Sequence, residues 1–473
     1  MWSSIENMFR IPELKKRLLI TLGLLAVYRI GFAIPIPGVQ LVHFLQLHGF
    51  GLAGGQGAFD IFIHQISAIT GGDWLGGSIF SLGIMPYISS SIIFSLLQKI
   101  IPSLEQMAKE GEAGQQRLNQ YARYFTVFLC FVQAYFIYSK LTRNVVEGGI
   151  EKFGTGLLPV NSSGIGWFIQ IFVALTAGTI FVMWIGERIT EFGIGNGISM
   201  IIMAGIVARM PRAAIDIYKN YFSGEDPTKR PETGVLISAG LILAYVLLVM
   251  AVIVITQGTR KITIQQAKHV RGTRVYGGQR SYLGLRVNQA GVMPVIFASP
   301  VMQLFSGVLV VGLYNALSQK QGWLADALRF GLHNFGSGNV FNVILESALI
   351  FFFAYFWTAL YFNPSETAKN IQEYGSFIPG IRPGKNTSDH LEKIMNRVTL
   401  GGAAFLSAIA VLPMMLSKTL NLDYIVVGFL GGTGILIVVG VALDTVQKIE
   451  SHLVMRHYDG FLGPGKRIRG RRR

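Results

Sequence analysis

Small hydroxyls and branched apolar side chains, rather than charged groups, fill the most regular stretch of this sequence. The serines at 89–91 are consecutive inside the apolar run 78–97, where Ile84, Ile88 and Ile92 recur every fourth residue. Residues four apart stack on one helix face, so the isoleucines form an apolar stripe. Hydroxyls at that depth bond to a neighbouring helix or back to their own. Such a surface is suited to excluding water rather than to acid–base or nucleophilic chemistry.

Sequence motifs of catalysis are missing. There is no glycine-rich phosphate loop ending in Lys-Ser or Lys-Thr, no His-Glu-x-x-His and no Gly-x-Ser-x-Gly elbow. Acidic residues near the apolar runs lie close to the ends of those runs, whereas an ion-coupled transporter buries carboxylates near mid-membrane. Cys130 is the only cysteine, which excludes a disulfide framework and a thiolate metal site. We therefore expect a protein that is not an enzyme and that has no metal and no cofactor.

The elements that must hold these side chains are membrane spans. Of the 473 residues 51% are hydrophobic and 14% are charged, against roughly 25% charged residues in soluble domains. The sequence predicts an all-α polytopic membrane protein with ten transmembrane helices. They run near 18–38, 76–97, 121–140, 165–187, 194–211, 234–256, 290–315, 341–363, 398–417 and 424–447.

The basic residues predict the orientation of these spans. The first apolar run is not followed by a small-residue cleavage site, so we read it as a retained span. Most of the 41 Lys and Arg residues then fall on the side of the N-terminus, and positive charge marks the cytoplasmic side. Both termini are therefore predicted to be cytoplasmic.

Ten spans divide into two halves of five. An N-terminal half, 1–211, and a C-terminal half, 234–447, are joined by an external hinge loop at 212–233, and a basic cytoplasmic tail follows at 448–473. An odd number of spans per half makes the halves enter the membrane from opposite sides, as in inverted repeats. The glycine-flanked segment near 55–72 is too short to span the membrane, which takes about 20 residues. Its length therefore predicts a re-entrant, plug-like element.

Two long cytoplasmic loops are predicted to dock partners. The loop 257–289 is basic and free of acidic residues, and its strand-like segments predict a small hairpin. The loop 363–397 holds Arg382 between Pro379-Gly380 and Pro383-Gly384, a rigid pair of turns. The candidate partner-binding residues are Arg260, Lys261, Lys268, Arg271, Arg274, Arg382 and Lys385. The basic tail suits anionic lipid and ribosomal RNA phosphates equally well.

Six stretches in order together resemble the SecY family of protein translocase channels. They are YRIGFAIPIPGV (28–39), SIFSLGIMPYISSSII (78–93), GERITEFGIGNGISMIIMAGIVA (186–208), LRVNQAGVMPVIFASP (285–300), FNPSETAKNIQEYGSFIPGIRPG (362–384) and GGTGILIVVGVALDTVQKIESHLVMRHY (431–458). The resemblance covers nearly the whole chain. It implies a clamshell of two five-helix halves around an hourglass pore that passes unfolded polypeptide and releases apolar segments sideways into lipid.

The resemblance also implies site residues. A ring of apolar side chains would narrow the pore, and a hydrophobic constriction of this kind gates by dewetting. The ring residues are Ile84, Ile88, Ile198, Ile202, Ile296 and Ile437. A lateral gate would lie between spans 2 and 3 and spans 7 and 8, with Ser89, Ser90, Ser91 and Gln303 as its polar members. The chain departs from the family pattern at Asp73-Trp74, after the plug.

The partners implied by the resemblance are SecE-like and SecG-like small membrane subunits, a SecA-like motor ATPase, the ribosome and signal-bearing unfolded polypeptides, in the bacterial inner membrane. The alternative from the residues alone is a secondary transporter of a small solute, which also suits inverted halves. The lack of carboxylates near mid-membrane counts against that alternative, and so does the length of the loops 257–289 and 363–397. An intramembrane enzyme would need paired catalytic residues, which the sequence lacks.

Overall fold

A computed structural model describes residues 12–37, 77–142, 144–147, 150–153, 165–208, 210–211, 215, 231–266, 269–271, 274–276, 280–303, 340–420 and 432–461. In chain order the helices and strands are α1 (Pro12–Gly31), α2 (Met85–Ile100), α3 (Pro102–Lys109), α4 (Glu112–Thr142), β1 (Asn144–Glu147), β2 (Ile150–Phe153), α5 (Ile165–Phe192), α6 (Gly197–Val207), α7 (Pro231–Gln257), β3 (Thr259–Gln266), β4 (His269–Arg271), β5 (Arg274–Tyr276), β6 (Arg280–Arg286), α8 (Met293–Gln303), α9 (Val340–Tyr361), α10 (Pro364–Glu373), β7 (Ser376–Phe377), α11 (Lys385–Leu420) and α12 (Gly432–Phe461).

Each of the ten predicted spans overlaps a helix. Among the described residues, four segments are long and apolar enough to cross a membrane by length and composition alone: Ile165–Phe192, Ser238–Gln257, Val343–Glu373 and Lys385–Pro413. The helix pair α2 and α3 passes the same test only when it is taken together. The predicted plug near 55–72, together with Asp73-Trp74, lies outside the described residues.

The helix of the second span begins later than predicted. Residues 77–84 form turns, and the helix begins at Met85 with Pro86 in its first turn. Proline is favourable there because the first amides of a helix have no partner within it. Pro86 therefore lies at the start of this helix, where it does not break the hydrogen-bond pattern. Ile84 is the residue before the helix, although its carbonyl oxygen accepts from the Ile88 amide at 3.1 Å.

A sharp bend follows the same helix. α2 and α3 meet at an angle of 99° around Ile101, whose backbone is extended with φ −99° and ψ 113°. The ring of Pro102 disfavours a helical conformation at the preceding residue, so the helix must end there. Pro102 then occupies the first turn of α3.

The chain divides into two compact units. One comprises Met1–Ala208 with Val441–Arg473, and the other comprises Arg209–Gly440, so α12 contributes residues to both. The first unit has an apolar core drawn from the segment after α1, the turns before α2, and α2, α4 and α5. Its buried members are Ile36, Leu82, Met85, Cys130, Ala134, Ile137, Ile171 and Leu175.

The second unit combines apolar helices with a small sheet. Phe297 of α8 packs on Phe353 and Trp357 of α9, with ring centroids 5.6 Å and 5.4 Å apart. Both pairs are tilted, and aromatic pairs at this spacing contribute about 0.5–1.5 kcal/mol beyond the area that they bury. These rings therefore hold α8 against α9.

The two predicted loops are more ordered than connectors. The segment 257–289 contains strands β3 to β6, which confirms the predicted hairpin. The segment 363–397 contains α10, β7 and the first turns of α11, which begins at Lys385 rather than near 398. Asn363 caps α10 by accepting from the Glu366 amide at 3.4 Å, and Pro364 follows in the first turn. A polar N-cap residue followed by proline strongly favours the start of a helix. The prediction of a loop at 363–397 did not include this helix.

Candidate functional site

The candidate site is built on the antiparallel pair of β3 and β6. The pairing runs from Thr259 opposite Arg286 to Gln265 opposite Arg280. Ile262 and Ile264 alternate with more exposed residues along β3, so one face of the pair is apolar. This alternation fixes the register, because a slip by one residue would turn the isoleucines to solvent.

A third strand joins the sheet from a distant part of the chain. β7 pairs with β3 through Gln265 opposite Phe377 and Gln266 opposite Ser376, giving the strand order β6-β3-β7. The two loops that the sequence predicted as separate docking elements are therefore one folded body. We call this body the sheet module; it comprises β3, β6, β7, α10 and the start of α11.

An apolar core lies beneath the sheet module. Its members come from both loops and from the flanking helices, and Leu391 of α11 is completely buried. Burying one leucine stabilises a fold by roughly 1.5–3 kcal/mol, so a cluster of this size can hold the module together. The buried residues are Ile262, Leu285, Ala368, Ile378, Leu391 and Met395.

The opposite face of the sheet is basic. Lys261 lies opposite Gly284, and Thr263 lies opposite Tyr282, whose side chain is 63% exposed. The strand period of two places Arg280 and Arg286 on the face of Tyr282, away from the apolar core. The resulting surface carries three cations around an exposed aromatic ring, a combination suited to acidic or phosphate-bearing partners.

Arg382 stands on a turn that the surrounding backbone holds in place. The Ile381 amide donates to the Ile378 carbonyl at 3.1 Å, and the buried Thr387 hydroxyl donates to the Arg382 carbonyl at 3.0 Å. Gly380 and Gly384 flank it with φ of +82° and +93°, which favour glycine. The Arg382 side chain is exposed, so its guanidinium is presented on a fixed backbone.

The structure brings together part of the predicted partner-binding set. Arg260, Lys261, Arg382 and Lys385 are exposed on the sheet module. Arg271 and Arg274 are opposed residues of the β4–β5 pair, and Lys268 lies outside the described residues. Arg280 and Arg286 were missing from the predicted set. Their even spacing from Tyr282 along β6 could have identified them.

The predicted constriction residues divide between the two units. In the first, Ile84 and Ile202 are buried, and Ile88 and Ile198 are half-buried. In the second, Ile296 is half-buried on α8 and Ile437 is buried on α12. Their role in a pore ring stays a prediction.

The predicted gate serines differ in their surroundings. Ser90 is completely buried, and its hydroxyl donates to the Ala122 carbonyl oxygen of α4. Ser89 and Ser91 are half-buried, and the Ser95 hydroxyl donates back to the Ser91 carbonyl at 2.8 Å. Gln303 is the last residue of α8. A gate role for these four residues stays a prediction.

The fold and the site define a polytopic membrane protein whose apolar helices carry a folded, basic polar module. The family model described as SecY matches residues 78–446, and the chain belongs to the SecY family. The resemblance inferred from the sequence is thereby confirmed, and so is the predicted fold class of an all-α polytopic membrane protein.

A curated relative agrees with this family assignment, and two solved structures share the fold. The protein translocase subunit SecY of Thermotoga maritima is 38% identical over 480 residues, which covers 100% of both chains. A solved structure described as a protein conducting channel aligns with 95% of this chain and 97% of its own at 17% identity and a TM-score of 0.57. Sec61 in a canine ribosome–channel complex from the endoplasmic reticulum aligns over the same shares, at 17% identity and a TM-score of 0.52.

Proposed function

We propose that this chain is a protein-conducting channel. It translocates unfolded secretory polypeptides across the membrane and releases apolar segments laterally into the bilayer. The observation that carries the proposal is membership of the SecY family over the full length, together with the match to a protein conducting channel. The transporter alternative has no such support, because the relatives described above are translocase subunits and channels.

The energy for transport comes from outside the chain in this proposal. The sheet module receives either a SecA-like motor ATPase or the ribosome, and the basic face supplies charge complementary to acidic side chains or RNA phosphates. The Sec61 relative in a ribosome complex supports the second partner. SecE-like and SecG-like subunits complete the channel in the bacterial inner membrane, with both termini cytoplasmic.

Arg382 is the residue on which this proposal can be tested. Its guanidinium can form a two-pronged contact with a carboxylate or phosphate, which lysine cannot reproduce. Arg382→Glu reverses the charge on an exposed turn and leaves the buried core beneath it unchanged. Because a hydrogen bond to a charged group contributes about 1.5–3 kcal/mol, we expect partner affinity to fall by roughly tenfold to a hundredfold.

The assay uses the full chain, co-purified with its small membrane subunits and reconstituted in proteoliposomes with SecA and an unfolded precursor. Arg382→Glu should impair SecA-driven import, and Arg382→Lys should show an intermediate defect. Both variants should accumulate in membranes like the parent. Unchanged import by Arg382→Glu would exclude this contact, and absence of import by the parent complex would exclude the channel.

A further inference from the structure

The connection between α5 and α6 is a compact junction, residues 193–196. The Gly193 amide donates to the Ile189 carbonyl at 2.8 Å and closes α5. Gly195 turns the chain with φ of +87°, which a side chain would strain. Asn196 then caps α6, because its side-chain oxygen accepts from the Ile198 and Ser199 amides at 3.1 Å and 3.3 Å.

One amide of this junction is satisfied by a different helix. The Ile194 amide donates to the hydroxyl oxygen of Thr21 in α1 at 3.1 Å, across 173 residues of sequence. The same hydroxyl donates to the Arg17 carbonyl at 2.9 Å, so it is both donor and acceptor. Thr21 is 2% exposed. A buried amide that loses its acceptor lowers the stability of the fold. This hydrogen bond therefore constrains where the junction can lie.

The junction has almost no space in which to shift. A Cβ at Gly193 would lie 2.4 Å from the Thr21 hydroxyl oxygen, and a Cβ at Gly197 would lie 1.9 Å from the Gly186 carbonyl oxygen. Both distances are far inside van der Waals contact. Glycine at these two positions therefore lets α1, α5 and the start of α6 approach one another closely.

Two predicted constriction residues lie on the far side of this packing. A Cβ built at Gly186 would be 3.5 Å from Ile198 Cγ1 and 3.6 Å from Ile84 Cδ1. Ile198 belongs to the first turn of α6, directly after the junction, and Ile84 precedes α2. The position of the junction thus influences where Ile198 lies beside Gly186, which Ile84 also approaches.

We infer that Thr21 is a positioning residue that holds the α5–α6 junction, and through it Ile198 and Ile202, in place for the pore constriction. The inference rests on the proposed function for the role of these isoleucines. Thr21 acts through the Ile194 amide, in the junction directly before the helix that carries both isoleucines.

The first experiment measures geometry alone. Cysteines replace Ile84 and Ile198 in a Cys130→Ser background, and a short bifunctional thiol reagent joins them in native membranes. Thr21→Val keeps the side-chain shape but removes the acceptor, and should slow crosslinking by about tenfold, the ratio that corresponds to one unsatisfied buried amide. Thr21→Ser keeps the hydroxyl and should crosslink at the parental rate.

Thr445 provides a matched control at the same junction. Its hydroxyl oxygen lies 3.4 Å from a Cβ built at Gly195, and its described hydrogen bonds run to the Val441 carbonyl and the Met200 sulfur. Thr445→Val is the same chemical change without loss of an acceptor for a junction amide, so it should crosslink normally. If Thr21→Val does not accumulate in membranes, Gly193→Ala displaces the same contact from the opposite side and should give the same slow crosslinking.

The second experiment measures ion conductance of the reconstituted, idle channel, in a chain that keeps Ile84 and Ile198. Thr21→Val and Ile202→Gly should both raise conductance, and Thr21→Ser should not, because a misplaced or shortened apolar side chain lets the waist become wet. Parental crosslinking in Thr21→Val would overturn the inference. Slow crosslinking with no leak in Ile202→Gly would support Thr21 as a positioning residue and refute the constriction.

Discussion

Leu391 is the residue whose truncation should loosen the core that holds the two loops of the sheet module together. It is completely buried among Ile262, Leu285, Ile378 and Met395, side chains that come from both loops and from α11 itself. Leu391→Ala removes the contact common to these elements and leaves a cavity. Buried leucine-to-alanine changes destabilise by about 2–5 kcal/mol, depending on how far the site collapses.

The expected loss of stability can be measured by hydrogen exchange. If the β3–β6 pair opens as a local unit, a loss of about 2 kcal/mol speeds exchange of its amides roughly 30-fold. We expect that acceleration in peptides covering Thr259–Gln266 and Arg280–Arg286 of the purified complex, with little change in α5. Partner binding should weaken in parallel, because the basic face is built on the same strands.

The matched control lies on the same helix. Leu400 is 54% exposed, so Leu400→Ala makes the same change without opening a cavity in the module. In Leu400→Ala, the amides of β3 and β6 should exchange at the same rate as in the parent. Parental exchange in Leu391→Ala, or equal acceleration in both variants, would refute the conclusion that this core holds the two loops together.

Two further predictions test local geometry. Thr387→Val removes the hydroxyl that donates to the Arg382 carbonyl, so it should weaken SecA binding by roughly fivefold or more. Thr387→Ser keeps the hydroxyl and should bind SecA like the parent. Equal binding by the two variants would show that the turn does not need this hydrogen bond. Gly197→Ala places a methyl group 1.9 Å from the Gly186 carbonyl and should lower the thermal midpoint of the purified complex by several degrees, as overpacking costs about 1–3 kcal/mol. Gly240→Ala, with nothing within 4 Å, should leave the midpoint unchanged, and an equal loss in both would contradict the close approach.

The sequence determined the features that depend on local pattern. Each predicted span overlaps a helix because a backbone in hydrocarbon must satisfy its own hydrogen bonds, so an apolar run of sufficient length has few alternatives. The alternation along Thr259–Gln266 predicted a strand, and the paired proline and glycine residues predicted the turn at Arg382. The family was also identified from sequence, since six ordered stretches matched.

The tertiary structure alone decided which distant residues meet. The residues around Gln265 do not specify Phe377 as its strand partner. The residues around Thr21 likewise do not specify Ile194 as its hydrogen-bond partner. Local periodicity specifies which face of an element is apolar, but many elements offer a suitable face, and the pairing is chosen by the packing of the whole chain. The same reason explains Ser90, whose hydroxyl can bond back to its own helix or across to another, and which bonds to Ala122 of α4 because that helix packs against α2.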